Sequence, residues 1–260
     1  MNTVPPETRT FPVTLQRNAF SPRLVARAGD VWRAMQDVVV DQSSSAGWTP
    51  ERYVQENCMF VVRTMTVRHH RELKIAEPIH GRTWPSRARR EMLFTRQVRL
   101  FSGEDLVAGA SQEWAFLTRD LQPTRAGKNI FDAFQLIEGY PEVELPSFVS
   151  QADQPTHVFD FTVWHGWMDP QGHANHAAYV DYCDEGVARL VAEEGGDPQR
   201  IVPVAESVHF RAAIGAGELI TVETAVAGHS QGARVFKHRV LSGDRVCATA
   251  TTVRALVEGK

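Results

Sequence analysis

Two stretches of this chain repeat at one fixed separation. RHHRELKIAEPI, residues 68–79, corresponds to VHFRAAIGAGEL, residues 208–219, so that His69 meets His209 and Arg71 meets Arg211. RLFSGEDLVAGA, from Arg99, corresponds to RVLSGDRVCATA, from Arg239. Here Arg99, Ser102, Gly103, Ala108 and Ala110 meet Arg239, Ser242, Gly243, Ala248 and Ala250. Every pair is 140 residues apart, with no gap between the blocks. That period exceeds the roughly 20–50 residues of solenoid repeats and suits a small independent domain. The chain is therefore expected to be a duplication, with one domain at residues 1–145 and a second at 155–260. The stretch between them, YPEVELPSFVSQADQPTH (residues 140–157), is rich in proline and polar residues and reads as a linker.

Each half predicts the same element order. In the second, residues 158–164 alternate as a strand and GWMDPQGHA (166–174) forms a loop. A helix follows over 175–194, stopped by Gly195 and Gly196. Tyr179, Cys183, Gly186, Val187 and Leu190 share one face of it at spacings of three and four. Strands are expected at 203–210, 218–227, 234–241 and 246–257, broken at GAG, GHSQG and SGD as in an antiparallel meander. The first half predicts a helix over 29–41, a short one over 50–55, then strands as far as Leu117. A strand, one long helix and several antiparallel strands make an α+β unit. The expected fold is a tandem (double) hotdog, each half a long central helix wrapped by an antiparallel β-sheet, giving a pseudo-dimer within the chain. A homodimer of such chains is a further possibility.

Composition narrows the class. A content of 43% hydrophobic and 23% charged residues describes a globular protein, and no apolar run approaches the ~20 residues of a membrane helix. A net charge of −3 carries no nucleic-acid signal. Three widely spaced cysteines (Cys58, Cys183, Cys247) and a polar start without a secretory core point to a reduced, cytoplasmic protein. Residues 82–99 hold six arginines against Glu91. They read either as the solvated face of a strand pair or as a landing patch for an acidic carrier, with Arg87, Arg89 and Arg90 as the candidate contacts.

Polar groups crowd the loop and first turns of the second-half helix: Asp169, Gln171, His173, Asn175, His176, Asp181, Asp184 and Glu185. At the 140-residue offset Asp169 meets Gly29, His173 meets Arg33, Asn175 meets Met35 and Glu185 meets Ser45, so the first copy lacks the set. Structural need would act on both copies, and the asymmetry favours function. Hydrolysis of an acyl ester or thioester needs an activated water or a carboxylate nucleophile, with donors for the developing oxyanion. A helix N-terminus supplies free N–H groups and the positive end of the macrodipole. Each residue also has a plain reading: Asn175 as a helix cap, Asp169 as turn chemistry beside Pro170 and Gly172, His173 as a loop histidine, Glu185 as a solvated helix residue and Tyr179 as core.

WMDPQGHANHAAYVDYCDEG, residues 167–186, resembles the active-site segment of acyl-ACP thioesterases of the plant and bacterial type. Asp169, His173, Asn175, Tyr179 and Glu185 fit that family's spacing, and Gln171 stands where the family has an asparagine. The segment is also similar to 4-hydroxybenzoyl-CoA-type thioesterases through Asp169, Gly172 and Tyr179. RTMTVRHHRELKIAEPI and GASQEWAFLTRDLQPTR resemble the family's first hotdog, so the likeness runs from about Ala46 to the end. It implies hydrolysis of a fatty-acyl thioester of acyl carrier protein or coenzyme A, with no cofactor or metal. Asp169 would be base or nucleophile, and His173 would polarise the carbonyl or orient water. Gln171 and Asn175 would position these groups, and Glu185 would be a second carboxylate. Gly172, His176 and Tyr179 would line the substrate, whose chain would lie in an apolar tunnel between helices and sheet. The Glu-Cys pair of plant members is replaced by Ala213 and Ile214, which removes a cysteine mechanism; Cys183, on the apolar stripe, reads as core.

Gly228-His229-Ser230-Gln231-Gly232 imitates a serine-hydrolase elbow, but the next segment is a strand and only 28 residues follow, so it reads as a hairpin turn. His69-His70 and His229/His238 lack metal-ligand spacing. Two rivals to a thioesterase remain: another hotdog enzyme, a dehydratase or hydratase on acyl thioesters, and a non-catalytic acyl-thioester-binding protein.

Overall fold

The computed structural model describes residues 4–152 and 156–257, so part of the expected linker, residues 153–155, lies outside the described ones. The chain divides into two compact units. The first comprises residues 1–16 and 31–144, the second residues 17–30 and 145–260, so a short N-terminal segment belongs with the second unit.

In the first unit the elements run β1 (Phe11–Val13), α1 (Ala28–Ser45, its first three residues counted with the second unit), α2 (Pro50–Gln55), β2 (Cys58–His69), β3 (Ile79–Arg89), β4 (Leu93–Ser102), β5 (Asp105–Thr118) and α3 (Lys128–Ala133). All strand pairs are antiparallel, in the order β1-β3-β4-β5-β2. Helix α1 buries Val31, Trp32, Ala34, Met35 and Val38, spaced so that one stripe faces the sheet. The larger of these side chains, Val31, Met35 and Val38, each contribute about 1.5–3 kcal/mol through burial. Gly81 in β3 admits Val38: a Cβ there would stand 2.2 Å from the valine Cγ2.

The second unit contains β6 (Val149–Ser150), β7 (His157–Thr162), α4 (Ala178–Glu193), β8 (Ile201–Phe210), β9 (Leu219–Ser230), β10 (Ala233–Ser242) and β11 (Arg245–Leu256). The order is β8-β11-β10-β9, with β6 and β7 both on β9, all antiparallel. Helix α4 buries Tyr179, Cys183, Gly186, Val187 and Leu190, the stripe expected from spacing. Gly186 packs against β9, where a Cβ would meet Thr224 Oγ1 at 2.3 Å. Each unit is a long helix against an antiparallel sheet, and the protein is a tandem hotdog.

The 140-residue register holds through the strands. β4 and β10 coincide residue for residue, and β5 and β11 start at Asp105 and Arg245. Even the slip in pairing recurs, between Leu100 and Phe101 in one unit and between Val240 and Leu241 in the other. The joining turns place Gly103 at φ +59° and Gly243 at φ +56°, a region that glycine enters without strain. The GHSQG segment is a two-residue hairpin between β9 and β10 with Gln231 and Gly232 both at positive φ, as a type I′ turn requires. Ser230 Oγ donates to the Ser147 carbonyl and is buried.

Helix α4 begins three residues later than expected because Asn175–Ala177 form a turn ahead of it. Helix α1 runs four residues past Asp41.

Candidate active site

The loop that enters α4 is held almost wholly by its own backbone. A 3₁₀ turn, His165–Trp167, leads into a bridge between Met168 and Ala174. Within the bridge the Asp169 N–H donates to the His173 carbonyl (2.8 Å), and the Gly172 N–H returns to the Asp169 carbonyl (2.9 Å). Gly172 stands at φ +81°, which explains its residue type. The Asn175 N–H donates to Trp167 O (3.0 Å) and the Ala174 N–H to Ile214 O (2.8 Å). Ile214 thus secures the loop through its backbone.

This frame gathers Asp169, Gln171 and His173. Asp169 Oδ1 accepts the Gln171 N–H at 2.8 Å. Asp169 Oδ2 lies 3.3 Å from His173 Nδ1, with the carboxylate side chain 11% exposed and the imidazole 33%. His173 Nδ1 also faces the Ala174 carbonyl at 3.4 Å. Nε2 faces Gln171 Oε1 at 3.3 Å, so each ring nitrogen has an oxygen beside it. The result is a carboxylate–imidazole pair with a carboxamide beside it.

Asn175 stands next along the chain. Its Oδ1 accepts the Ala177 N–H (3.0 Å) and its carbonyl the Ala178 N–H (2.9 Å), so it shapes the turn before α4. The residue at the cap position proper is Ala177, which offers no side-chain acceptor. His176 is buried, edge-on to Phe210. Tyr179 donates its hydroxyl to Ala212 O at 3.3 Å, and burial pushes its phenol pKa up, so it is neutral and pins α4 to the segment after β8.

Three expectations take a different form in the structure. Glu185 pairs within α4 and not with the loop. It lies seven residues into α4, about 10 Å along the axis at 1.5 Å per residue. Its side chain is 52% exposed, bonded to Arg189 one turn on (2.7 Å). The six arginines of residues 82–99 divide, three of them being held by the fold and Arg87, Arg89 and Arg90 remaining exposed. Arg82 turns to the carbonyls of Pro5 and Thr8, Arg96 to Gln42, and Arg99 is buried against the carbonyls of Val98, Ala110 and Pro141. Arg87 pairs with Glu142 and Arg89 with Glu113, while Arg90 occupies the β3–β4 turn at φ +53°.

The third concerns the duplicate of the loop, which is offset by 148 residues, not 140. The 3₁₀ turn Arg17–Ala19 answers to His165–Trp167, and the bridge Phe20–Ala26 to Met168–Ala174. The hydrogen bonds repeat: Ser21 N–H to Val25 O (2.8 Å), Leu24 N–H to Ser21 O (2.8 Å), and Arg27 N–H to Ala19 O (3.0 Å). So Asp169, Gln171, His173 and Asn175 correspond to Ser21, Arg23, Val25 and Arg27. The asymmetry between copies stands, with different partners.

One buried ionic group was not foreseen. Arg254, 2% exposed, binds Asp184 of α4 (2.6 Å) and Glu206 of β8, the latter fully buried. Its sequence signal was a lone charge inside each of two apolar strands, VPVAESVHF and TATTVRAL. Cys183 is wholly buried and burial raises its thiol pKa, which keeps it from forming a thiolate.

Residues 163–260 match the family model of the thioesterase-like superfamily. No curated protein matches the chain in sequence. Its fold is shared with a Lactobacillus plantarum protein provisionally described as an oleoyl thioesterase, at TM-score 0.81 and 15% identity, covering 97% of this chain and 96% of that one. The 12:0-ACP thioesterase of Umbellularia californica follows at TM-score 0.75 and 15% identity, covering 96% and 94%. An acyl-ACP thioesterase of Bacteroides thetaiotaomicron gives TM-score 0.74 and 14% identity, covering 95% and 97%.

Proposed function

We propose that the protein hydrolyses fatty-acyl thioesters of acyl carrier protein or coenzyme A, with the Asp169 loop as its active site. The observation that carries this reading is the contrast between two loops of one backbone design. Residues 168–176 hold a carboxylate, two imidazoles and two carboxamides, and residues 20–28 hold none of them. The match of residues 163–260 to thioesterases, and the acyl-ACP thioesterases among the fold relatives, support it.

In the proposed reaction the thioester carbonyl sits at the N-terminal turn of α4, where the positive end of the helix dipole stabilises the developing oxyanion. Asp169, or His173, takes a proton from water as the water oxygen bonds to the acyl carbon. The C–S bond then breaks, the thiolate accepts that proton, and the fatty acid gives the second water proton to solvent and leaves as its carboxylate. Gln171 and Asn175 hold the loop in register.

The test is a panel of acyl-CoA and acyl-carrier-protein substrates with free thiol followed by a chromogenic disulfide. Thiol release that disappears in Asp169→Ala is the expected result. Water addition to an enoyl thioester without thiol release would establish the hydratase reading instead, and tight binding without turnover would establish a sensor.

A further inference from the structure

Each sheet has one face on its long helix and one turned away from it. In the first unit Gly81 lies against both Val38 of α1 and Leu100 of β4, so Gln97 and Arg99, at the alternate positions of β4, belong to the outer face. Their cross-strand partners on β5, Ser111 and Gly109, share that face. The chain covers it with residues 137–144, which form neither helix nor strand. Arg99 donates to the Pro141 carbonyl at 2.8 Å, and the Val143 N–H donates to Ser111 Oγ at 2.6 Å. Gly109 leaves room for the Val143 side chain, whose Cγ2 a Cβ there would approach to 3.3 Å. Gln97 and Arg99 are buried. The first sheet thus holds a peptide by its main chain, through one guanidinium and one hydroxyl.

The second unit keeps those two groups on an open face. Lys237 and Arg239 of β10 stand opposite Thr251 and Thr249 of β11, the same register 140 residues on. Helix α4 packs on the other face, where Gly186 meets Thr224, the hydrogen-bond partner of His238. Arg239 therefore repeats Arg99, and Thr251 repeats the Ser111 hydroxyl. Here the four residues line a cavity of about 370 Å³ within the unit. Lys237 is exposed, and the Arg239 side chain is 53% exposed while paired with Glu223 at 2.9 Å. Two exchanges define what would fit. Thr249 in place of Gly109 fills the space that Val143 uses, which calls for a small residue at that point. Lys237 in place of the buried Gln97 favours a carboxylate. The segment seated on the first sheet is itself acidic, with Glu138, Glu142 and Glu144 and no basic residue from 137 to 145.

We propose that the outer face of the second sheet binds a non-helical acidic peptide of a partner protein, in the way the first sheet binds residues 137–144. Arg239 and Thr251 hold its main chain, a glycine or alanine passes over Thr249, and a carboxylate faces Lys237. The proposal stands apart from the thioesterase reading and from the Asp169 loop.

The experiment uses the full chain and two fluorescein-labelled peptides, followed by anisotropy. One is IEGYPEVEL, the sequence of residues 137–145, and the other is IEGYPEGEL, with glycine at the place of Val143. The wild type is expected to bind the glycine peptide about tenfold more tightly than the valine peptide, the cost of overpacking at Thr249. Thr251→Val and Arg239→Ala are each expected to weaken binding of the glycine peptide about tenfold, as for a lost hydrogen bond to the main chain. Lys237→Glu is expected to weaken it as well. Thr249→Gly is expected to strengthen binding of the valine peptide, a gain that a misfolded variant does not give. No binding of either peptide by the wild type overturns the proposal, and so does binding that none of the four substitutions alters. Sedimentation velocity supplies the remaining arm: a wild-type dimer that Lys237→Glu converts to monomer assigns the face to a second copy of the chain and overturns the peptide reading.

Discussion

Asp169 serves two purposes, and a single substitution separates them. One oxygen accepts the Gln171 N–H and the other faces His173. Asp169→Asn keeps an acceptor for Gln171 but removes the charge. The expected outcome is a fall in kcat of about 10²-fold or more, with an unchanged melting temperature, read by thiol release and calorimetry. Glu185→Ala is expected to leave kcat within about twofold and stability within about 0.5 kcal/mol, as for an exposed helical ion pair. A large loss of kcat there would show that its family spacing, and not its solvent-facing position, describes its role. The spacing of Asp169, His173 and Asn175 was legible because loop residues close in sequence are close in space. That argument fails for Glu185, since seven helical residues carry it along and around the axis.

Elements are joined by buried polar groups in the second unit, and these set its response to acid. His238 of β10 bridges Thr224 of β9 and Thr252 of β11, with Nδ1 and Nε2 each 2.9 Å from a hydroxyl. Burial, aided by the Arg254 charge, lowers its pKa to about 3. The unfolded histidine takes a proton near its ordinary value of 6.5, so between those limits the unfolded chain binds the extra proton. Stability from this group is therefore complete above about pH 6.5 and declines as pH falls toward 3, by at most about 1.4 kcal/mol per pH unit. Urea midpoints measured from pH 7 to 4 should fall, and His238→Asn should flatten that slope. In the Arg254 cluster, Glu206→Gln is expected to cost more than Asp184→Asn, the former on the order of 3–5 kcal/mol. Glu206 is fully buried, whereas Asp184 is 31% exposed and water can replace part of its interaction. Denaturant titration orders the two, and equal losses would refute the dependence on burial. The strands were legible from alternation and from one shared register. The cluster was not, because nothing in a single sequence says which lone charges on separate strands converge.

At the scale of the whole chain, the duplication was legible in the strands and misleading in the loop. Between the loop and the sheet the first copy is eight residues longer, so the 140-residue register becomes 148. Helix α2 lies within that longer connection. Only Pro22 with Pro170 and Ala26 with Ala174 match across the two loops, too few to expose the shift without hydrogen bonds to align by. The shared backbone of these loops also bears on how such a molecule can change. Six positions distinguish the copies in chemistry: Ser21, Arg23, Leu24, Val25, Arg27 and Ala28 against Asp169, Gln171, Gly172, His173, Asn175 and His176. Converting one set to the other asks for none of the loop's backbone hydrogen bonds to be rebuilt, so the divergence of the two copies is chemically reversible by point substitution. The same positions can hold two arginines or a carboxylate–imidazole pair, but not both. A lineage or an engineer restoring that pair in the first copy would give up both arginines to gain it.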